Sequence, residues 1–507
     1  MNLVIDEKQI AVCETVADEF NEHPVDGDFM LPDYCADVAA VLKCTMRPVI
    51  QSRQITSDKL IADGTVFIRI LYLDENRRTV RSCEFSQPFS SVFNLRGGGI
   101  PMIQLTAKTD YINCRATSPR RLDIHGAFTV KMMIVTEGSM STIADIAGDG
   151  VYTRRQPVAF TVPAAGAEKT FTINEVTELG ESKPPAESII RSAVVPQLTE
   201  FKLLINKAIL KGVLQVRVCY VSDSSTGATD TVSQEIPFSQ IIDVDGLVDD
   251  WDCDADLEVI SHDIHLNHSQ SGESGLLSVN AKIAASVRCY KTGSSDVVTD
   301  VYSVRYPLTA EFQRMDIPHL LGFRREIHTI RETIEMPADN IQDIVDYWAE
   351  VHAVTPRYAA DGNYIDGRLT VCLLVRDTGG EISYYERVDN FTNKSSEICD
   401  QMTVSVCVSR MEYTVLPSKE MEINVQLSVS RSCYITTTGM AVSGVFADEN
   451  AAFPPEKAAL KIYYANKGES IWEIAKGCHT SMQAVMDENS LASEVLPEDT
   501  MLLVPMC

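Results

Sequence analysis

A glycine followed by apolar residues at every second position occurs three times along the chain, and no other feature restricts its fold as much. The copies are Asp63-Gly64-Thr65-Val66-Phe67-Ile68-Arg69-Ile70-Leu71-Tyr72, Lys211-Gly212-Val213-Leu214-Gln215-Val216-Arg217-Val218-Cys219-Tyr220 and Asp366-Gly367-Arg368-Leu369-Thr370-Val371-Cys372-Leu373-Leu374-Val375. A period of two marks a strand with one buried face, and the leading glycine suits a turn or bulge that opens it. Gln87-Pro88-Phe89-Ser90, Ile236-Pro237-Phe238-Ser239 and Asp389-Asn390-Phe391-Thr392 follow, with glycine-to-phenylalanine separations of 25, 26 and 24 residues. A further alternating run closes each copy, starting at Leu122, Leu277 and Met421. The period of roughly 150 residues is far longer than a solenoid repeat. The chain therefore holds three tandem domains, each large enough for its own core.

Upstream of each glycine lies a proline-led segment: Leu31-Pro32-Asp33, Pro184-Pro185-Ala186 and Met336-Pro337-Ala338. Apolar residues follow at Val38, Val41 and Leu42, at Ile190, Ala193 and Val194, and at Ile341, Ile344 and Val345. This spacing predicts a short helix at the front of each domain, because proline in a first turn sacrifices no hydrogen bond. The expected fold class is mainly β with short helices, in three tandem β-rich repeat domains over residues 1–152, 153–306 and 307–435. Residues 436–459 contain Gly439, Gly444, Pro454 and Pro455 without periodicity. They are expected to be a flexible linker, whose length would set the reach of whatever follows.

Residues 460–507 read as strand, two capped helices and a returning strand, a small βααβ domain. Ser470 with Glu473 fits a capping box, and Thr480 with Gln483 repeats the spacing. Ile471, Ile474, Ala475 and Cys478 form one helical stripe; Met482, Val485 and Met486 form another. Asn489 stands where a left-handed helix stop is expected. The segment Tyr463-Tyr464-Ala465-Asn466-Lys467-Gly468-Glu469-Ser470-Ile471-Trp472, with Asn489 and Leu502-Leu503-Val504-Pro505, resembles a LysM domain. It departs from the usual pattern at Ala465, Glu469-Ser470, Cys478 and Asp499.

That resemblance implies a ligand groove between the loop before the first helix and the loop after the second. Matching positions are Lys467, Gly468, Glu469, Ser470, Ile471 and Trp472, with Asn489, Ser490 and Leu491 opposite. Gly468 would admit a close backbone approach, and Gly468 and Ser470 also serve the fold. Trp472 lies off the apolar stripe and is expected to be partly exposed. Two readings of it stay open: an interface anchor or a cover for the edge of a small core.

The repeats, with Pro-Asp near the front and Phe-Ser after the strand, resemble the SPOCS domain of endospore-forming bacteria. The third copy departs most, with Asn390 and Thr392. Three such repeats followed by a LysM domain resemble the SipL-like family of spore-morphogenesis proteins. The resemblance implies a non-enzymatic role in spore coat assembly. The LysM domain would bind the ATP-hydrolysing basement-layer protein of the coat, in the mother-cell cytoplasm at the forespore surface. The alternative is a cell-wall protein whose tail holds peptidoglycan or another N-acetylglucosamine glycan. The start of the chain shows no basic segment followed by an apolar run, which favours the first.

Composition narrows the classes further. Lysine and arginine number 44 against 71 aspartates and glutamates, a net charge of −27. Such a chain is repelled by nucleic-acid phosphates and tolerates basic protein partners. No run approaches the ~18 apolar residues of a membrane helix. The fourteen cysteines are scattered, without a Cys-x-x-Cys, and read as reduced buried thiols.

No catalytic, cofactor or metal site is expected. Gly97-Gly98-Gly99 lacks the lysine of a phosphate loop and reads as a turn. His262, His265 and His268 alternate as on a strand, so His265 would face away from the other two. Asp252, Asp254 and Asp256 mimic the start of a calcium loop but lack its glycine and final glutamate, and read as an acidic exposed loop.

Overall fold

A computed structural model describes residues 3–95, 102–180, 183–267, 275–338, 340–417, 420–448, 451–454 and 458–506. The first repeat comprises β1 (Val4–Met30), β2 (Ala40–Ile55), β3 (Lys59–Leu73), β4 (Val80–Asn94), β5 (Met102–Ser118) and β6 (Arg121–Ala147). The second comprises β7 (Val151–Glu178), β8 (Ser188–Leu204), β9 (Lys207–Asp223), β10 (Ala228–Asp243), β11 (Asp252–Asn267) and β12 (Leu276–Ser303). The third comprises β13 (Leu308–Glu335), β14 (Ile341–Ala359), β15 (Gly362–Asp377), β16 (Ile382–Lys394), β17 (Gln401–Val415) and β18 (Glu420–Ala447). The chain ends in β19 (Leu460–Ala465), α1 (Ile471–Gly477), α2 (Met482–Glu488) and β20 (Thr500–Pro505).

Each repeat is a pair of three-stranded antiparallel sheets. One has the order first–sixth–fifth strand, as in β1-β6-β5; the other has the order second–third–fourth, as in β2-β3-β4. The alternating runs of the sequence are the central strands β3, β9 and β15 and the closing strands β6, β12 and β18. Their inward residues build one core per repeat, for example Val66, Ile68, Ile70, Ile124 and Val130 in the first. The corresponding cores of the second and third gather around Leu214, Val216 and Val279, and around Leu369, Val371 and Ile423.

The glycine of each repeat lies inside its strand rather than at a turn. Gly64, Gly212 and Gly367 pair with Phe89, Phe238 and Phe391 across the neighbouring strand. A Cβ at Gly64, Gly212 or Gly367 would lie 2.5 Å from the Cζ of its phenylalanine. The bare backbone is therefore a seat for the ring, and this is why glycine and phenylalanine recur at nearly fixed separation.

The predicted helices at the front of each repeat are strands. Among the described residues, the repeats contain no helix. At the position read as a helical stripe, β2, β8 and β14 each carry a bulge. Val41 and Lys43 pair with Tyr72 and Leu71, leaving Leu42 over; Ile190 and Val345 are the extra residues in the other two. Val41, Ile189 and Ile344 pack on their own repeat's core, whereas Leu42, Ile190 and Val345 turn outward to the neighbouring repeats. Adjacent apolar residues facing opposite ways imitate the spacing of a helix.

Those outward residues meet in one apolar hub. Leu71, Leu73 and Val80 come from the first repeat, Ile190, Cys219 and Val221 from the second, and Val345, Leu374 and Ile382 from the third. Around it β4 touches β8, β10 touches β14 and β16 touches β2, so the repeats close a ring. Arg69 donates to Ser192 O at 2.9 Å, and its counterpart Arg217 donates to Tyr347 O at 2.8 Å. The third step differs: Cys372 takes the arginine's place, and Lys43 reaches Glu386 at 2.9 Å.

Asp346 is buried beside the hub, bonded to Arg191 Nε at 2.6 Å and Arg217 Nη1 at 2.8 Å. Burial opposes its charge, but the two guanidiniums outweigh burial and hold its carboxyl below the ordinary range. Farther out, the strand pairs β1–β6, β7–β12 and β13–β18 extend beyond the repeat cores as long ribbons. Ile10, Val158, Val297, Met315, Ile317 and Ala441 join them into another shared core.

Two further expectations change. Thr436–Ala447, expected to open the flexible linker, is the outer half of β18 and pairs with Leu308–Pro318 of β13. Beyond it, Asp448 N donates to Pro307 O at 3.1 Å and Phe453 N to Arg305 O at 2.8 Å. Cys253 and Cys289, expected to be reduced, stand opposite each other on β11 and β12 with Cα atoms 4.1 Å apart, and form a disulfide. Gly97-Gly98-Gly99 lies outside the described residues.

Replacing Asp346 by alanine leaves two largely buried guanidiniums without their carboxylate and should cost about 3–5 kcal/mol. Denaturant unfolding followed by tryptophan fluorescence should show the loss, with Trp348, which packs under Arg191, reporting the transition.

Candidate functional site

The C-terminal βααβ unit builds its small core from the first stripe, Ile471, Ile474, Ala475 and Cys478, from Val485 of the second, against which Met482 and Met486 pack, and from Leu502 and Val504 of β20. Its caps are rearranged. Ser470 is the N-cap of α1 without a side-chain cap bond; its hydroxyl instead donates to Glu494 Oε1 at 3.4 Å. Ser481, one residue beyond the predicted Thr480, caps α2 by accepting from Ala484 N at 3.2 Å. Thr480 is buried and donates to Pro505 O at 2.5 Å. The left-handed stops are His479 at φ +52° and Ser490 at φ +51°, not Asn489. In both, the following amide bonds five residues back: Thr480 N to Ala475 O at 3.0 Å and Leu491 N to Met486 O at 3.0 Å.

The proposed groove residues separate into three groups. Lys467, Gly468, Glu469, Ser470 and Ile471 form an edge that runs along Glu494–Leu496: Gly468 N donates to Leu496 O at 2.9 Å, Leu496 N to Glu469 O at 3.1 Å and Ile471 N to Glu494 O at 2.8 Å. Gly468, at φ +90°, faces open space, and Lys467 is exposed, its amide held by Asp499 Oδ1 at 2.8 Å. Asn489 serves the fold, since its side chain bonds Val485 O, Leu503 O and Leu503 N at 2.7–2.8 Å and pins α2 to β20. Ser490 is exposed beside it, and Leu491 packs on the core. The chain opposing Lys467–Ile471 is therefore Glu494–Leu496 rather than Asn489–Leu491. Glu498 and Asp499 follow this segment as exposed carboxylates, whereas Glu469 is bonded by Asn466 Nδ2 at 2.7 Å and Glu494 is engaged by Ser470.

Trp472 departs furthest from expectation. It is 4% exposed and faces the second repeat, where its indole N–H donates to Asp300 Oδ2 at 2.7 Å. Lys476 bonds both oxygens of Asp300, at 2.7 and 2.8 Å. Tyr302 stands edge-on to the indole with ring centres 4.9 Å apart, and its hydroxyl donates to Thr480 O at 2.9 Å. Arg154 of β7 meets Glu494 at 2.7 Å. Sequence spacing carries no trace of these partners, which lie 170 or more residues away.

The other candidate clusters are structural. His262 is half-buried on β11 at the joint between the first two repeats, near Ser192 Oγ at 3.1 Å. Burial first, and then the Arg47 and Arg69 guanidiniums, push its pKa down to about 4. His265 is exposed and paired with Asp263 at 2.6 Å; His268 lies outside the described residues. Asp252, Asp254 and Asp256 lie in β11 rather than in a loop. Arg288 pairs with Asp256, and Arg325 meets Asp254 at 3.2 Å.

Comparison with known proteins matches two spans, residues 37–117 and 185–267, to the family described as SipL, SPOCS domain. These spans run from β2 through β5 and from β8 through β11, the same four strands of the first two repeats. No curated protein and no solved structure matches the chain.

His262 makes the joint between the first two repeats sensitive to acid. Its folded pKa is depressed below the unfolded value near 6.5, so its contribution is complete above that pH and is lost as pH falls toward about 4. The loss should be on the order of 3 kcal/mol. Denaturation at stepped pH should show stability falling across this window, and His262→Gln should flatten that limb.

Proposed function

We propose that the chain is a non-enzymatic assembly protein of sporulation, in which a closed body of three repeats carries a LysM-like head that binds a protein of the spore coat. The SPOCS match on two repeats supports sporulation as the setting. The observation that carries the binding reading is the pair of exposed carboxylates Glu498 and Asp499, with Asp499 bonded to the Lys467 amide beside the open backbone of Gly468. Carboxylates at a rim select a partner bearing cations and hydrogen-bond donors. An uncharged N-acetylglucosamine glycan has no cation to offer them.

By the family resemblance, the partner is the ATP-hydrolysing basement-layer protein of the coat, met in the mother cell at the forespore surface. The three repeats then act as a rigid platform that holds the head at the assembling layer. Among the described residues, no helix is long and apolar enough to cross a membrane.

Immobilised full-length chain should retain the basement-layer ATPase from a lysate of sporulating cells, identified by mass spectrometry. Reversing the rim with Glu498→Lys and Asp499→Lys together should weaken that capture about tenfold or more, or ~1.4 kcal/mol. Retention of chitin oligomers or peptidoglycan without any coat protein would reject the assembly reading and favour the cell-wall alternative.

A further inference from the structure

The contact around Asp300 is built at only one of three equivalent places. Each long ribbon bulges in its closing strand, and the residue after the bulge is Asp145, Asp300 or Gly444. Two residues further on, Ala147 faces Val4, Tyr302 faces Tyr152 and Phe446 faces Thr309. Asp145 is taken by Arg155 of the second repeat, and Gly444 offers no side chain. Only the second ribbon combines a carboxylate with a stacked tyrosine pair, Tyr152 and Tyr302, whose rings are centred 5.3 Å apart. On that ribbon end sit Trp472, Lys476 and Thr480 of the head, with Arg154 closing on Glu494. Phe453 of the connecting segment stacks on His479, ring centres 3.7 Å apart, a second contact to the head.

We propose that the C-terminal unit is a self-docked head. Asp300 of the second repeat holds α1 in a closed position, and the Trp472 face becomes available to a partner only when this contact releases. A buried indole N–H and an ammonium share one carboxylate, so a single substitution leaves two donors without their acceptor. A partner offering its own carboxylate and an aromatic edge would compete for the same groups, while the Lys467–Ser470 edge stays open in both positions. The description of the released face as partner-binding rests on the proposed function; the docking does not.

The test uses full-length protein labelled with 5-fluorotryptophan, read by fluorine NMR. The chain has three tryptophans, and Trp472→Phe assigns the third resonance. In Asp300→Ala the Trp472 signal should move toward the position of free fluorotryptophan and gain a shift between light and heavy water. The Trp348 signal, from the joint between the second and third repeats, should not move. An unmoved Trp472 signal overturns the proposal. If Trp348 moves as well, Lys476→Met, which keeps the indole bond to Asp300, decides instead. A change in Trp472 alone then supports the docked head; no change, or movement of both signals again, overturns it. Failure here leaves coat-protein capture untouched, and failure of capture leaves the docked head standing.

Discussion

The apolar hub shared by the three repeats is the constraint on which the remaining architecture depends. At its hub end each second-third-fourth sheet is apolar on both faces: one covers the repeat's own core, and the other is covered by the neighbouring repeats. Nine buried side chains, three from each repeat, meet there. Burial of each contributes up to about 1.5–3 kcal/mol relative to exposure. Three tandem domains would otherwise behave as beads on a string; the hub turns them into one body. The bulges in β2, β8 and β14 belong to the same device, since they set the outward residue at the joint.

Near-repetition around the ring explains where polar groups are buried. Arg69 and Arg217 occupy matching positions and reach a carbonyl of the next repeat. At the joint between the second and third repeats, Arg191 and Asp346 are added, and the Asp346 carboxylate is fully buried between two largely buried guanidiniums. A buried pair of this kind adds little net stability but penalises any other arrangement of the repeats. The three joints carry unlike chemistry: an arginine pointing to Ser192, an enclosed aspartate, and Lys43 with Glu386. Unlike joints let identical-looking repeats assemble in one order.

The head gains its position by the same logic of inequality. Three ribbon ends share a backbone course, yet only the second bears Asp300 and Tyr302, and the head is seated there. This placement hides Trp472 and leaves the edge around Gly468 open. The glycine–phenylalanine seats act within each repeat, locking β3 to β4, β9 to β10 and β15 to β16 through a ring that fills the space a side chain would need.

The amino-acid order alone determined the number of repeats, their strand-rich character and the βααβ course of the tail, because periods of two and of 3.6 are local records of a buried face. It also marked Gly64, Gly212 and Gly367 with their phenylalanines, although only the paired strands revealed why they belong together. The leading segments misled because a strand with an inward Val41 and an outward Leu42 prints the same spacing as a helix turn. Asn489 could be seen as special, but whether it stopped a helix or pinned β20 depended on Leu503, fourteen residues on. Tertiary structure decided the ring, the tying down of the connection after β18, the cross-strand pairing of Cys253 with Cys289 and the burial of Trp472. Each of these joins residues distant along the chain, and a contact of that kind is set by how faces meet in space, which local spacing does not encode.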